Sequence, residues 1–248
     1  MDREKKSITT DANQLSHNIY NDKEFAESYS NKIEYNSHNA LYERPAVVSL
    51  IGDPVGKKIL DAGCGPGVLA SFLADKGAFI TAVDYSSEMI RLTNDRVENK
   101  ARVLELNLNE PLDVFKDEEF DIIVSSLTIH YLKNLRLFLS ECNRILKEDG
   151  CMVFSTHHPF MDFSFHSEGN YFETELLTDE WPSYNIKMDF YRRSLSDIFN
   201  LIMESEFVIE ELAEPMPVSE CKEKFPDAYE TLTHKPWFII FKIKKQQL

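Results

Sequence analysis

The segment Ile59-Leu-Asp-Ala-Gly-Cys-Gly-Pro-Gly67 decides the fold of this 248-residue chain. A short apolar run ends in a turn with three glycines, and the apolar residues that follow recur at helical spacing. Glycine allows a sharp turn and the close approach of a ligand, and the start of a helix directs backbone N–H groups toward that ligand. The segment therefore predicts a strand, a binding turn and a helix that together hold a nucleotide-type ligand.

The sequence around this segment alternates short apolar runs with helical patterns from residue 57 to residue 156. That alternation is typical of an α/β fold with a parallel, doubly wound sheet. The predicted strands are Lys58–Ala62, Ala78–Val83, Ala101–Leu106, Phe120–Leu127 and Cys151–Thr156. The predicted helices cover 66–76, 86–97 and 133–147, and Gly150 is expected to close the last of them. Farther on, the patterns predict a helix at Leu195–Glu204 and strands at Phe207–Leu212 and Trp237–Ile243.

The chain has no internal repeat and no Gly/Ser-rich or Pro-rich linker, so we expect a single domain. Within it, 1–51 is predicted to be an N-terminal helical cap and 57–156 the binding core. The aromatic segment 157–193 lacks a clean period, which is typical of a lid or binding loop. The remaining residues, 194–248, are expected to complete the sheet.

Charge and cysteine content exclude several classes of function. The chain has 27 Lys and Arg residues against 42 Asp and Glu residues, a formal charge of −15, whereas nucleic-acid binding depends on cationic side chains. Its 4 cysteines form no C-x-x-C pair, which predicts reduced thiols and a cytoplasmic location. No apolar run is long enough to cross a membrane, and no His, Cys, Asp and Glu spacing matches a metal site. We therefore expect no nucleic-acid partner, no membrane insertion and no metal.

An acidic residue reinforces the nucleotide prediction. Asp84 ends the second predicted strand, where a carboxylate can accept hydrogen bonds from ribose hydroxyls. The dinucleotide fingerprint G-x-G-x-x-G does not fit, because the glycines here follow G-x-G-x-G and Val68 stands at the third position. The spacing weakens the prediction of a nicotinamide dinucleotide without excluding it.

The motif order resembles that of the class I S-adenosylmethionine-dependent methyltransferases, in the small-molecule branch that includes the ubiquinone and menaquinone methyltransferases (methyltransferase type 11). The resemblance rests on Leu-Asp-x-Gly-Cys-Gly-x-Gly and continues through four later motifs, Val83-Asp84-Tyr-Ser, Asn107-Leu-Asn-Glu-Pro-Leu112, Phe120-Asp-Ile-Ile-Val-Ser-Ser-Leu-Thr-Ile-His-Tyr131 and Arg144-Ile-Leu-Lys-Glu-Asp-Gly150. It implies a Rossmann-like, mostly parallel seven-stranded sheet with an antiparallel C-terminal strand. It also implies S-adenosylmethionine as cofactor and S-adenosylhomocysteine as product.

The resemblance also implies which residues bind the cofactor. Near the methionine part it places Asp61, Gly63, Gly65 and Gly67, and at the ribose Asp84. Near the adenine it places Tyr85, Met89, Asn107 and Leu108. Two serines that end the fourth strand, Ser125 and Ser126, would face the cofactor amino group, and Tyr20 and Tyr29 would help to close the site.

The acceptor side is predicted from residue types. Methyl transfer from a sulfonium is an in-line displacement, and a hydroxyl or carbon acceptor benefits from a general base. His130 follows the fourth strand, at the edge of the sheet where ligands collect, and is the predicted base. Aromatic and polar side chains of the lid are the expected substrate-binding residues, namely His157, His158, Tyr171, Trp181, Tyr191 and Arg192.

The expected activity is methyl transfer to the O, N or C atom of a small molecule. Phe-Ser-Thr-His-His-Pro-Phe further resembles a bacterial group of small-molecule methyltransferases. Two alternatives stay open: a noncatalytic S-adenosylmethionine-binding module and a nicotinamide-dependent oxidoreductase. We expect a monomer or a homodimer.

Overall fold

The computed structural model describes residues 19–182 and 184–247 of the chain. Its nine strands are β1 Lys58–Ala62, β2 Phe79–Asp84, β3 Ala101–Glu105, β4 Phe120–Ser125, β5 Leu146–His157, β6 Glu175–Trp181, β7 Ile186–Arg192, β8 Phe207–Ala213 and β9 Phe238–Lys245. Seven of them form one sheet in the order β3-β2-β1-β4-β5-β9-β8, in which β9 is antiparallel to both neighbours. The predicted seven-stranded sheet with an antiparallel C-terminal strand is confirmed.

Nine helices in the described part of the chain flank or extend this sheet. They are α1 Lys23–Ile33, α2 Arg44–Ile51, α3 Val68–Asp75, α4 Ser87–Val97, α5 Leu135–Ile145, α6 Pro159–Phe165, α7 Leu195–Glu204, α8 Ser219–Lys224 and α9 Pro226–His234. A π-helical turn, Asn39–Glu43, leads into α2, and a short 3-10 turn, Ile129–Tyr131, follows β4. The first eighteen residues of the predicted N-terminal cap lie outside the described residues.

Alternating side chains of the central strands pack into two hydrophobic layers, one on each face of the sheet. In β1, Leu60 joins the layer that α5 and α7 cover, whereas Ile59 joins the layer that α2 and α3 cover. Successive residues of a strand point to opposite faces, so a strand buried on both faces is apolar throughout. The carboxyl ends of β1, β2, β3 and β4 consequently meet at one edge of a well-packed sheet.

One predicted boundary was wrong. Helix α5 ends at Ile145 and β5 begins at Leu146, so Gly150 lies inside the strand and does not close the helix. A Cβ atom on Gly150 would lie 2.9 Å from the carbonyl oxygen of Asp121 on β4. The glycine is needed because two strands approach closely there, where their register also shifts.

The predicted lid, 157–193, has regular structure that its composition did not reveal. It begins with α6 and continues into a two-stranded antiparallel hairpin of β6 and β7. In β6, half-buried and exposed residues alternate, so no continuous apolar run marks it as a strand.

In the described residues, no helix combines the length and the apolar character that crossing a bilayer requires.

The glycine turn after β1 is shaped by close contacts. Gly63 has a φ of +84°, and a Cβ atom there would lie 2.2 Å from Thr128 Oγ1, in the segment that follows β4. The carboxylate of Asp84 accepts hydrogen bonds from the backbone N–H of Gly65, at 2.9 Å, and of Ser86, at 2.9 Å. The ends of β1, β2 and β4 are thereby fixed against one another.

We expect Gly63→Ala to lower the free energy of unfolding by about 1–3 kcal/mol more than Gly52→Ala, because it adds an overlap with Thr128. Gly52 is a matched control, since its φ of +77° imposes a similar backbone cost while nothing lies within 4 Å of the position that a Cβ atom would take. Urea unfolding measures both variants. Thr128→Ala should recover part of the loss in the Gly63→Ala background, and equal losses in both glycine variants would contradict the explanation.

Candidate cofactor and acceptor site

A cavity of about 1030 Å³, counting the space that opens to solvent, lies at the carboxyl ends of β1, β2, β3 and β4. Most residues predicted to bind the cofactor line it, namely Tyr20, Tyr29, Asp61, Gly63, Gly65, Asp84, Tyr85, Met89, Asn107, Leu108 and Ser126. Two predicted residues are not among its lining residues. Gly67 begins α3 behind the turn, and Ser125 is fully buried and donates from its hydroxyl to the carbonyl of Ala62.

Asp61 carries an unpaired polar atom at this cavity. Its carboxylate is 1% exposed, and Oδ2 has no hydrogen-bond partner among the described residues. Burial raises the pKa of Asp61 to about 7, and the nearby charges of Asp84 and Glu43 add to the increase. A buried, unpaired carboxylate oxygen is costly, and a cationic donor such as an ammonium group would satisfy it.

Asp84 is placed to bind hydroxyl groups. Its carboxylate accepts hydrogen bonds from the backbone N–H groups of Gly65, Ser86 and Tyr85, which fix its orientation, and a carboxylate can accept about four hydrogen bonds, so acceptor capacity remains. Burial raises the pKa of Asp84, while the backbone hydrogen bonds from Ser86, Gly65 and Tyr85 act in the opposite direction. The structure thus places Asp84 at the end of β2 and at the cavity, while its contact with ribose stays a prediction.

The sequence analysis missed two charged residues on the N-terminal side of the cavity. Glu43 and Arg44 lie at the junction of the π-helical turn and α2, and both line the cavity. Glu43 accepts hydrogen bonds from the hydroxyls of Ser126, at 2.7 Å, and Ser155, at 2.5 Å. Arg44 donates to the carbonyl oxygen of Ile33 at 2.8 Å. A π-helical turn frequently marks a functional site, but no sequence pattern announces it.

A second cavity adjoins the first, below the hairpin of β6 and β7. Five residues line both cavities, namely Tyr29, Ile33, Asn39, Leu127 and Tyr131. Aromatic rings dominate the rest of the second cavity, with Phe165, Trp181, Tyr184, Phe190, Trp237 and Phe238. Four histidines and two aspartates supply most of its charge and hydrogen-bonding capacity, namely His38, His130, His157, His166, Asp162 and Asp179.

Three tyrosines stand where the two cavities meet. The hydroxyls of Tyr20 and Tyr131 lie 3.3 Å apart, and the ring of Tyr29 packs edge-on against Tyr20. Burial raises the pKa of Tyr131 to about 12 and raises the pKa values of Tyr20 and Tyr29 as well. These phenols therefore stay protonated at neutral pH and can donate hydrogen bonds.

The structure brings only part of the predicted substrate set to the second cavity. His157 and Trp181 line it, as does the predicted base His130. The other four residues have different positions in the described structure. His158 caps α6 and contacts Glu214 at 2.9 Å, and the hydroxyl of Tyr171 accepts from the backbone N–H of Leu195.

The remaining two predicted substrate residues, Tyr191 and Arg192, are not among the residues that line the second cavity. Tyr191 lies beneath the guanidinium of Arg193, which is 5.3 Å from the ring centroid. Arg192 has no exposed surface, pairs with Glu175 and donates to the carbonyls of His166 and Glu168. Arg192 thus joins the hairpin to the segment between α6 and β6, which explains why a charged residue is buried here.

Comparisons with known proteins agree with this geometry. Residues 60–154 match the model of a family described as "Methyltransferase domain". A Haemophilus influenzae protein without an assigned function is 26% identical over 92% of this chain and 96% of its own length. A ubiquinone biosynthesis O-methyltransferase of Coxiella burnetii is 34% identical over 41% of this chain, and a malonyl-[acyl-carrier protein] O-methyltransferase of Salmonella typhimurium is 30% identical over 50%. The chain spans 44% and 49% of the lengths of these two enzymes.

Solved structures show the same fold. An S-adenosylmethionine-dependent methyltransferase from Mesorhizobium loti superposes with a TM-score of 0.67 at 20% identity, covering 86% of this chain and 100% of the other. A candidate methyltransferase of the same type from Listeria monocytogenes gives 0.72 at 20% identity, covering 83% and 97%. Together with the cavity at the strand ends, these matches show that residues 60–154 form a methyltransferase domain with the fold of S-adenosylmethionine-dependent methyltransferases, and they indicate S-adenosylmethionine as its cofactor.

Proposed function

We propose that this protein transfers a methyl group from S-adenosylmethionine to a small molecule that binds in the second cavity. The observation that carries the proposal is that five residues line both cavities. The two cavities therefore adjoin and would place two ligands next to each other. The second cavity is lined by aromatic faces with a few polar groups, the usual composition of a small-molecule site. A macromolecular acceptor would instead need an open surface beside the cofactor.

The lining residues suit the parts of the cofactor. Asp61 and Arg44 carry charges opposite to those of an amino-acid ammonium and carboxylate, and they would hold the methionine part. Asp84 would bind the ribose hydroxyls. The adenine would lie among Tyr85, Met89, Asn107 and Leu108. The missing side chains of Gly63 and Gly65 leave backbone close to the ligand.

The residues of this chain position the two reactants and exclude water from them. When bound, S-adenosylmethionine supplies an electrophilic methyl group on a sulfonium. The tyrosines at the cavity junction would orient the acceptor with their hydroxyls, because burial keeps these groups protonated. The hairpin of β6 and β7 and the N-terminal helix α1 would cover the acceptor, and holding two reactants in line supplies much of the rate.

Asp84→Ala should weaken S-adenosylhomocysteine binding at least tenfold, about 1.4 kcal/mol, because it removes charge-assisted hydrogen bonds to ribose. Isothermal titration calorimetry measures the affinity. Glu105→Ala is the matched control, since this exposed carboxylate ends the neighbouring strand β3 and pairs in register with Asp84. An unchanged affinity in folded Asp84→Ala protein would contradict the assignment, and binding of NAD in its place would favour the oxidoreductase.

Cofactor affinity should rise with pH between 6 and 8. The pKa of Asp61 is raised to about 7, so the carboxylate is mostly protonated at the acidic end of this range, whereas an ammonium group requires its ionised form. A site with that pKa is about one-tenth ionised one unit below it, which predicts affinity about tenfold lower at pH 6 than at pH 8. Asp61→Asn should bind more weakly and lose this dependence, and a flat profile in the wild type would contradict the role.

Filling the second cavity should abolish turnover without affecting the cofactor. Met161 is 4% exposed and lines the second cavity but not the first, so Met161→Trp is expected to exclude the acceptor while S-adenosylhomocysteine affinity stays within twofold. The assay is S-adenosylhomocysteine release from a panel of small phenols, catechols and amines, with polypeptide and RNA acceptors alongside. Turnover with polypeptide or RNA alone would contradict a small-molecule acceptor.

The remaining expectations extend this proposal. We also propose that the chain forms one domain in which residues 157–193 cover the substrate. We propose further that the protein is a monomer or homodimer and that its location is cytoplasmic. The four cysteines, Cys64, Cys142, Cys151 and Cys221, are buried free thiols, which suits a reducing compartment. The net charge of −15 supports an acceptor other than nucleic acid.

A further inference from the structure

His157 occupies an unusual position at the carboxyl end of β5. Its ring is 22% exposed and lines the second cavity, while its Nδ1 atom is buried and has no hydrogen-bond partner among the described residues. Two aromatic rings lie nearly parallel to the ring of His157. His130 stacks on it at 3.9 Å between centroids, and Phe238 lies parallel to it at 6.1 Å.

The carboxylate of Asp162 lies beside that unpaired nitrogen. Asp162 is on α6, and its Oδ1 is 3.3 Å from His157 Nδ1. The distance is that of an ion pair, but the ring N–H is not aligned on the oxygen, so no hydrogen bond is complete. Catalytic hydrogen bonds are frequently long or poorly aligned before the substrate binds and shorten in the complex. A carboxylate at Nδ1 favours the tautomer whose Nε2 accepts a proton.

The predicted base His130 is less suited to this task. It is 2% exposed, and its Nδ1 lies 3.3 Å from the hydroxyl of Thr156. Burial lowers the pKa of His130 well below its usual value, and the neighbouring charges of His157 and Arg193 lower it further. His130 therefore stays neutral, and its ring joins Tyr131 at the cavity junction to His157, at 4.3 Å and 3.9 Å between centroids.

The charged residues that line the cavity limit the chemical class of the acceptor. No Lys or Arg is among the described residues that line it, whereas Asp162 and Asp179 are. Arg192, one of the predicted substrate-binding residues, is fully buried in its own ion pair. An acceptor with a carboxylate or phosphate would meet negative charge without a fixed cation, so the cavity disfavours an acceptor with a permanent negative charge, whereas a phenolate formed by proton transfer would lie beside the protonated His157. The ring faces favour a flat, apolar acceptor.

We propose that the acceptor is a neutral aromatic hydroxyl compound and that His157, oriented by Asp162, is the base that takes its proton. This inference rests on the proposed function. In the step, the O–H bond breaks and its proton moves to His157 Nε2, while an oxygen electron pair forms the O–CH₃ bond. The electrons of the S–CH₃ bond return to sulfur, which leaves as a neutral thioether. The proton on His157 then passes to solvent.

A chromogenic probe tests the proton transfer without any cofactor. 4-Nitrophenol absorbs visible light as a phenolate, so its spectrum reports whether the bound molecule has lost its proton. We expect the bound probe to show more phenolate than the free probe at pH 6.5, and His157→Asn to remove at least three-quarters of that excess. The matched control is His234→Asn, because His234 is exposed at the end of α9 and lines neither cavity.

Two outcomes of this experiment would overturn the proposal. One is a probe that stays protonated in the wild-type cavity, and the other is an equal phenolate excess in His157→Asn protein. Binding of 4-nitroaniline in preference to 4-nitrophenol would point instead to an amine acceptor. Neither result depends on methyl transfer, so a failure here is distinguishable from a failure of the proposed function, which S-adenosylhomocysteine release and cofactor calorimetry test separately.

The split between kcat and KM separates orientation from a merely structural role. With a phenol acceptor that the panel identifies, Asp162→Asn should lower kcat by about tenfold to a hundredfold, up to the lower end of the range for general-base catalysis, and leave KM within about twofold, because an amide no longer favours the tautomer of His157 whose Nε2 accepts a proton. A rise in KM with kcat unchanged would overturn the assignment of Asp162.

Discussion

The geometry of the site depends on the backbone of the glycine turn after β1. With a φ of +84° at Gly63 and no side chain there, the turn can lie against Thr128 in the segment after β4. Asp84 then ties the same turn to the end of β2 through the N–H of Gly65. The missing side chain of Gly63 thus allows the ends of β1 and β4 to lie close together, and the carboxylate of Asp84 ties the end of β2 to them. The cofactor cavity is the space that this arrangement leaves open, so its shape is set before any ligand arrives.

The second cavity depends on the first but is built by different parts of the chain. Its floor comes from the ends of β4 and β5, which the sheet positions. Its walls come from α1, the π-helical turn, α6 and the hairpin of β6 and β7. Within the lid, the buried Arg192 pairs with Glu175 and donates to the carbonyls of His166 and Glu168, so the hairpin is joined to the segment that precedes it. A rigid sheet with a variable cover allows one fold to serve many acceptors.

The sequence predicted the sheet well and the cover poorly, for physical reasons. The buried parallel strands are continuous apolar runs, and a helix such as Leu195–Glu204 begins at a capping serine, so both leave local signals. Glu43 ends the π-helical turn and Arg44 follows it, and no local sequence pattern marks such a turn. Gly150 looked like a helix stop, yet it serves the contact between β5 and β4. Arg192 and His158 looked like ligand groups, whereas long-range partners on β6 and after β8 engage them. Such contacts join residues far apart in sequence and have no local pattern.

Electrostatics links the acidic chain to a cationic cofactor. Asp61, Asp84 and Glu43 are buried around one cavity, and burial raises the pKa of all three. Grouping carboxylates in this way destabilises the cofactor-free protein, since each loses hydration and the charges repel one another. Backbone N–H groups at Asp84 and serine hydroxyls at Glu43 offset part of that cost, but Oδ2 of Asp61 has no partner among the described residues. We propose that a ligand with an ammonium and a sulfonium would offset the remainder, so that the buried carboxylates would favour binding of a cation.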